Sequence, residues 1–195
     1  MKPTNWGLAR PSCAGWSSER PDIAFLPTKL FTIYRELASD AKRNDLILND
    51  VIRAVTQGRS PILLTERKDH LEFFAEQLRG FVRHLIVLQG GMTDKERRSR
   101  REQLDAIPAD EERLVLATGR YIGEGFDDAR LDTLFLALPI SWKGTIVQYT
   151  GRLHRPHHRK TEVRIYDYVD REVPMLLKMF EKRLRTYRAI GYVQD

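Results

Sequence analysis

Two unbroken apolar runs, each opening into a polar loop, limit what this chain can fold into more than any other feature. The first is Leu114-Val115-Leu116-Ala117-Thr118, followed by Gly119 and a loop that carries Gly123, Gly125 and Asp127. The second is Leu134-Phe135-Leu136-Ala137-Leu138-Pro139, followed by Gln148-Tyr149-Thr150-Gly151-Arg152-Leu153-His154-Arg155. Five or six apolar residues in a row, bounded by Gly and Pro, read as a strand buried on both faces. In sheets of such strands, ligands bind at the carboxyl ends, where these loops begin.

The rest of the chain fits around them. Leu30, Ile33, Tyr34, Leu37, Ala38 and Ala41 recur on one helical face, and a second short helix is expected from Asn49 as N-cap to Gly58 as stop. Ile62 to Thr65 reads as a strand, with Leu71, Phe74, Ala75 and Leu78 as the buried stripe of the helix that follows. Leu85 to Leu88 is the next strand and leads into Gln89-Gly90-Gly91. Thr93 and Glu96 then form a capping box for an Arg-rich helix closed by Pro108. Val163 to Val169 is a last strand, and Pro174 opens a C-terminal helix whose Leu177, Phe180, Leu184 and Tyr187 share a face. Strands alternating with helices over short connections predict an α/β fold: a mostly parallel sheet with helices on both faces, an N-terminal arm with helices, and a C-terminal helix.

Charge is unevenly spread. The formal net charge is +6, and from Arg152 to Arg188 eleven Lys/Arg face five Asp/Glu. That excess is compatible with a polyanionic partner. Cys13 is alone, so the chain can form no internal disulfide. No stretch reaches the ~18 apolar residues needed to cross a bilayer. The N-terminal residues also lack a signal peptide's apolar core, and together these readings lead to an expectation of a cytoplasmic protein with no membrane partner.

Arg152 and Arg155 are spaced so that, on a helix, two guanidinium groups reach a single polyanion, and Arg is suited to bidentate phosphate contact. Spacing and order carry a further reading. Gln148 to Arg155 resembles motif VI of superfamily 2 DEAD/DEAH-type helicases. Ala117-Thr118 through Gly123-Glu124-Gly125-Phe126-Asp127 resembles their motif V, and Ile62-Leu63-Leu64-Thr65-Glu66-Arg67 is similar to their motif IV. The resemblance covers about Gly58 to Val169 and implies the second, C-terminal RecA-like domain of such a motor.

It implies ATP and Mg²⁺ as cofactors, bound mainly by a first domain, with Arg155 as the arginine finger and Arg152 as its partner. Gln148, Gly125 and Asp127 would also lie at the nucleotide. Thr65, Thr118 and the backbone at Gly90, with Arg67 as a further candidate, would contact the phosphates of a nucleic-acid strand, DNA favoured over RNA. The implied division is residues 1–27 as arm or linker, 28–57 as helical lead-in, 58–170 as the RecA-like domain and 171–195 as a basic C-terminal helix. One departure is large: the sequence contains no Gly-Lys pair, hence no Walker A loop. Asp110-Glu111-Glu112 precedes a strand, whereas a Walker B acid follows one. The implied partner is therefore a Walker-containing N-terminal RecA-like domain, in cis or in trans, and the chain alone is expected to be inactive.

Other readings are weaker. Gly123-x-Gly125 lacks the third glycine of a dinucleotide fingerprint. His154, His157 and His158 have no Cys nearby to complete a zinc set, so no metal site is expected. Lys178, Lys182, Arg185 and Arg188 form a strip that would either track nucleic acid or keep the domain soluble. The competing function is a non-catalytic module, binding nucleic acid or protein on a RecA-like scaffold.

Overall fold

A computed structural model describes residues 4–6, 26–119, 128–140 and 143–194. Five strands form the central sheet: β2 (Pro61–Thr65), β3 (Leu85–Leu88), β4 (Leu114–Thr118), β5 (Thr133–Leu136) and β6 (Arg164–Asp167). Their order is β3-β4-β2-β5-β6, and every neighbouring pair is parallel. Parallel neighbours require crossovers. Those described are α3 (Lys68–Leu78), α4 (Asp94–Asp105) and α5 (Lys143–Leu153), with α1 (Leu26–Ser39) and α2 (Ala41–Thr56) before the sheet and α6 (Pro174–Ala189) after it.

Alternation along each strand divides the core in two. Ile62, Leu64, Val115, Ala117, Leu134, Leu136 and Ile165 point to one face, where they meet Leu104 of α4, Ile146, Tyr149 and Leu153 of α5, and Phe180 and Tyr187 of α6. Leu63, Leu114, Leu116 and Phe135 point to the other, against Ile47, Val51, Ala54 and Val55 of α2 and Leu71, Phe74 and Leu78 of α3. A strand with apolar residues at every position is thus satisfied on both sides, as its sequence requires. The segment expected as a helical lead-in, through α2, is built into the second of these layers.

Several boundaries differ from the sequence reading. The first helix was expected to continue through Ala41 and the second to start at Asn49. Instead the break falls at Asp40, whose carboxylate accepts from the Arg43 N–H at 3.1 Å, and Asn49 lies inside α2. Asp40 is the cap because it satisfies one of the orphan donors of the first turn, while the apolar period happens to run across it. The strands expected over 134–139 and 163–169 are paired only over Thr133–Leu136 and Arg164–Asp167, although burial continues to Ile140 and Val169. The capping box of Thr93 and Glu96 is present, and Pro174 occupies the first turn of α6. Gly58, with φ of +73°, takes the left-handed conformation that stops α2.

Two further short strands pair outside this sheet. β1 (Thr4–Trp6), within the segment expected as an arm, runs parallel to β7 (Tyr192–Gln194).

Buried ion pairs tie the carboxyl ends of the strands to flanking helices. Arg43 of α2 meets Asp170 at 2.7 Å and donates to the carbonyls of Ala137 and Tyr168. Arg183 of α6 grips both oxygens of Asp167, at 2.6 and 2.9 Å, and donates to the Ile140 carbonyl at 3.0 Å.

Candidate functional site

The carboxyl ends of β2, β3 and β4 carry the residues expected on a nucleic-acid strand. Thr65 ends β2, Thr118 ends β4, and Gly90 follows β3. The parallel register sets Thr65 directly beside Thr118. The Gly90 N–H donates to Thr118 Oγ1 at 2.9 Å, so those two are joined to each other. Thr65 is 1% exposed and its hydroxyl bonds His70 Nδ1 at 3.1 Å. Gly90 and Thr118 thus join the ends of β3 and β4, while Thr65 is fastened to α3.

Arg67 is also committed. Its Nε and Nη2 fork onto the Asp69 carboxylate at 3.0 and 2.5 Å, which holds that carboxyl below its usual range, and its guanidinium lies over the Phe31 ring, 5.2 Å from the centroid. Beside it Glu66 reaches across the edge to Gly119. A side chain at Gly119 would collide with Glu66 Oε1 and come within 3.1 Å of the Tyr149 hydroxyl. The Tyr149 hydroxyl donates to the Gly119 carbonyl at 2.8 Å, fastening α5 to the start of the motif V loop. Burial, and after it the charge of Glu66, push the Tyr149 phenol up.

A relay that sequence reasoning missed supports this edge from below. His70 Nε2 lies 2.9 Å from Asn44 Oδ1, and Asn44 donates its amide to the Ala38 carbonyl. The imidazole thus connects α2 to Thr65 through α3. No local signal marks it, because Asn44, Thr65 and His70 meet only once the two helices pack. Burial and the nearby Arg43 charge push the His70 pKa from 6.5 down to about 4. A folded-state value below the unfolded one means that the unfolded chain takes up the proton first as pH falls. The stability contributed by neutral His70 is therefore complete above pH 6.5 and is lost progressively down to about pH 4. A loss on the order of 3 kcal/mol across that window is expected, by urea unfolding at several pH values, with a much smaller loss in His70→Gln. Equal pH dependence in the two proteins would refute it.

The candidate nucleotide residues lie on and just beyond α5. Ile146, Tyr149, Thr150 and Leu153 form the buried stripe, at i, i+3, i+4 and i+7. Gln148 falls outside the stripe and is exposed, Arg152 is half-buried, and Arg155 is exposed. The two arginines were expected on one helix face. The helix ends at Leu153, and Arg155 sits in the turn after it, its N–H donating to the Arg152 carbonyl at 3.2 Å. Pro156 is the cause, since a residue before proline avoids the helical region. Lys160, which sequence reasoning missed, donates to the carbonyls of Leu153 and Arg155 at 2.7 and 3.0 Å and so fixes that turn, while burial pushes its pKa down. Arg152 lines a small cleft with Asp128, Tyr149 and Leu153.

Gly125 and Asp127 lie outside the described residues. The described chain resumes at Asp128, a buried carboxylate held by Arg130 Nε and Nη2 at 2.8 and 2.9 Å.

Among solved structures, that of T4 UvsW superposes with a TM-score of 0.68 at 17% identity, covering 98% of this chain and 40% of that one. The C-terminal part of the Fun30 ATPase domain gives 0.60 at 14% identity, covering 74% of this chain and 46% of that one. The E. coli DEAD-box protein SrmB, solved bound to RraA, gives 0.53 at 16% identity, over 70% and 78%. This is a RecA-like α/β fold.

No family model matches the sequence. Transcript termination protein A18 of vaccinia virus (strain Ankara) is 29% identical over 133 residues, 66% of this chain and 26% of that protein. Its namesake in fowlpox virus (strain NVSL) is 23% identical over 160 residues, 78% of this chain and 34% of that protein. The RecA-like chain thus spans about a quarter to a third of the length of these curated relatives.

The histidines of the basic turn make other contacts. His154 packs edge-on against Tyr192, and His157 and His158 lie against each other. Among the described residues no three metal-ligating side chains come together, and no helix is long and apolar enough to cross a membrane. Lys178, Lys182, Arg185 and Arg188 are all exposed on α6.

Proposed function

We propose that this chain is the second RecA-like domain of an ATP-dependent nucleic-acid helicase or translocase, to which it contributes the arginine finger and half of the nucleic-acid track. The observation that carries the reading is the arrangement at α5. Gln148 and Arg152 on the helix and Arg155 in the turn after it stay off the apolar stripe, two of the three exposed, and Tyr149 ties that helix to the start of the motif V loop. A plain scaffold has no need of two guanidinium groups and an amide within eight residues. The donor set suits a polyphosphate, since residues 146–156 contain no carboxylate.

On this reading Arg155 stabilises charge on a transferring phosphoryl group, while Arg152 and Gln148 orient the phosphates. ATP with Mg²⁺, held mainly by a Walker-containing first domain, supplies the transferring group. Asp127 and Gly125 take the ribose and the adjoining turn. Residues 58–170 form the domain proper, preceded by the arm at 1–27 and the helices of 28–57 and followed by the basic helix of 171–195. The strand ends at Thr65, Gly90 and Thr118 frame the track, and closure of the cleft against the first domain shifts the grip along one strand, with DNA favoured over RNA.

The test is ATP hydrolysis with and without single-stranded DNA, for the chain alone and for the chain combined with a Walker-containing first domain. Turnover only in the combination supports the reading. Absence of turnover in every combination, together with salt-sensitive binding of nucleic acid, supports the non-catalytic module that the missing Gly-Lys pair keeps in view.

A further inference from the structure

At the strand ends the Thr65 hydroxyl is bonded to His70 and the Gly90 N–H to Thr118, so other side chains of this edge bear on how a strand would be held. Two stand out. Phe31, on α1, is 61% exposed, although large apolar side chains are ordinarily covered. The other exposed large apolar side chains among the described residues are Phe81, Val147 and Val193. Phe81 follows α3 before β3 begins, at the opposite edge of the sheet, and the other two are aliphatic. Among the described residues Phe31 is therefore the exposed phenylalanine of the carboxyl edge.

Its position is set, not loose. Tyr34, one turn along α1, donates to the Pro139 carbonyl, and Leu37 packs with Leu138 and Leu176. The Arg67 guanidinium covers the ring from the β2 side and is itself held flat by the Asp69 fork. With Nε and Nη2 on Asp69, Arg67 acts as a backing for the ring, and a phosphate beside it can also be met by a neighbour. That neighbour is Lys68. Its side chain is exposed, and its ammonium reaches over the glycine turn after β3, 3.6 Å from where a Cβ of Gly91 would stand. Gly91 has φ of +89°, so the turn stays bare and the ammonium lies close to the backbone.

An aromatic ring backed by a guanidinium, with an exposed cation over a bare turn of the same edge, is the chemistry of single-stranded nucleic acid: a base stacks on the ring and the adjoining phosphate meets the ammonium. We propose that Phe31, backed by Arg67, is a stacking platform for one unpaired base, and that Lys68 takes a phosphate of the same strand. The inference rests on the nucleic-acid reading of this edge and adds to it a contact made through a base. A protein surface would cover Phe31 equally well but would give no reason for base-dependent affinity.

The test compares two probes, an oligothymidine of about twenty nucleotides and an abasic oligomer of the same length, with fluorescence anisotropy as the readout. Phe31→Ala should weaken binding of the oligothymidine roughly tenfold and leave the abasic probe unchanged, while Phe31→Trp retains the affinity. Lys68→Gln should weaken both probes and flatten the slope of log affinity against log salt by about 0.7. Both positions are exposed, so unchanged thermal unfolding checks that the variants are folded. If Phe31→Ala leaves the oligothymidine unchanged, or weakens both probes equally, the platform is wrong. If the unmodified chain binds neither probe at low salt, the nucleic-acid reading of the edge fails as well, which separates the two conclusions.

Discussion

Replacing Asp167 by Asn destabilises the domain by about 3–5 kcal/mol, a large share of the ~5–15 kcal/mol that holds a domain of this kind together. Asp167 ends β6 and is 1% exposed. Its two oxygens take Arg183 at 2.6 and 2.9 Å, and the Tyr187 hydroxyl donates to Oδ2 at 3.0 Å. Asn keeps the shape but leaves a guanidinium with its full charge in a site that water does not reach. Most of the cost is the desolvation of that orphaned charge, which the pair itself had offset. The double variant Asp167→Leu, Arg183→Met should therefore recover much of the loss, because neither charge is then buried. Urea unfolding of Asp167→Leu, of Arg183→Met and of the double variant measures the coupling. A loss below about 1 kcal/mol for Asp167→Asn, or strictly additive losses in the double variant, would show that the pair carries little. The site has a stake in this clamp, since Arg183 also holds the Ile140 carbonyl, shortly before the helix that bears Gln148 and Arg152.

The strands were legible because each had to be apolar on both faces and was bounded by Gly, Pro or polar residues; β2, β3 and β4 lie within a residue of their expected bounds. The capping box was legible because both of its bonds are local. The break at Asp40 was hidden by chance, since the apolar period of α1 continues through it to Ala41. At the site, the spacing of Gln148, Arg152 and Arg155 was plain, but whether Arg155 stood on the helix turned on Pro156, one residue beyond the pattern. The relay from Asn44 through His70 to Thr65 joins three elements that only tertiary packing assembles. Phe31 carried no mark in sequence, because its spacing alone does not tell an exposed aromatic from a core one. The fork between Arg67 and Asp69 was in reach, since the two are two residues apart, yet sequence does not show which partner Arg67 prefers.

On the proposed reading, Arg155→Ala in the combination with a Walker-containing first domain should lower the rate of ATP hydrolysis by roughly 10³- to 10⁵-fold, the range over which arginine fingers act on phosphoryl transfer. The size follows from where the charge develops. A guanidinium placed at the phosphoryl group is worth far more in the closed, water-poor cleft than in solution, and nothing else in the segment 146–156 carries a fixed charge except Arg152. Arg155→Lys should recover little, since a single ammonium cannot span two phosphate oxygens as a planar fork does. Arg152→Ala should have the smaller effect, because Arg152 is half-buried beside Asp128 and its loss also disturbs packing. Arg155 is exposed and Lys160 fixes its turn through backbone carbonyls, so Arg155→Ala leaves thermal unfolding and oligonucleotide binding unchanged. Rates within a few-fold of the unmodified combination would remove Arg155 from the finger position. A matching fall in stability would instead assign it to the fold. Only a selective loss of turnover, with binding and unfolding intact, distinguishes a residue that acts on the transferring phosphoryl group from one that merely shapes the turn.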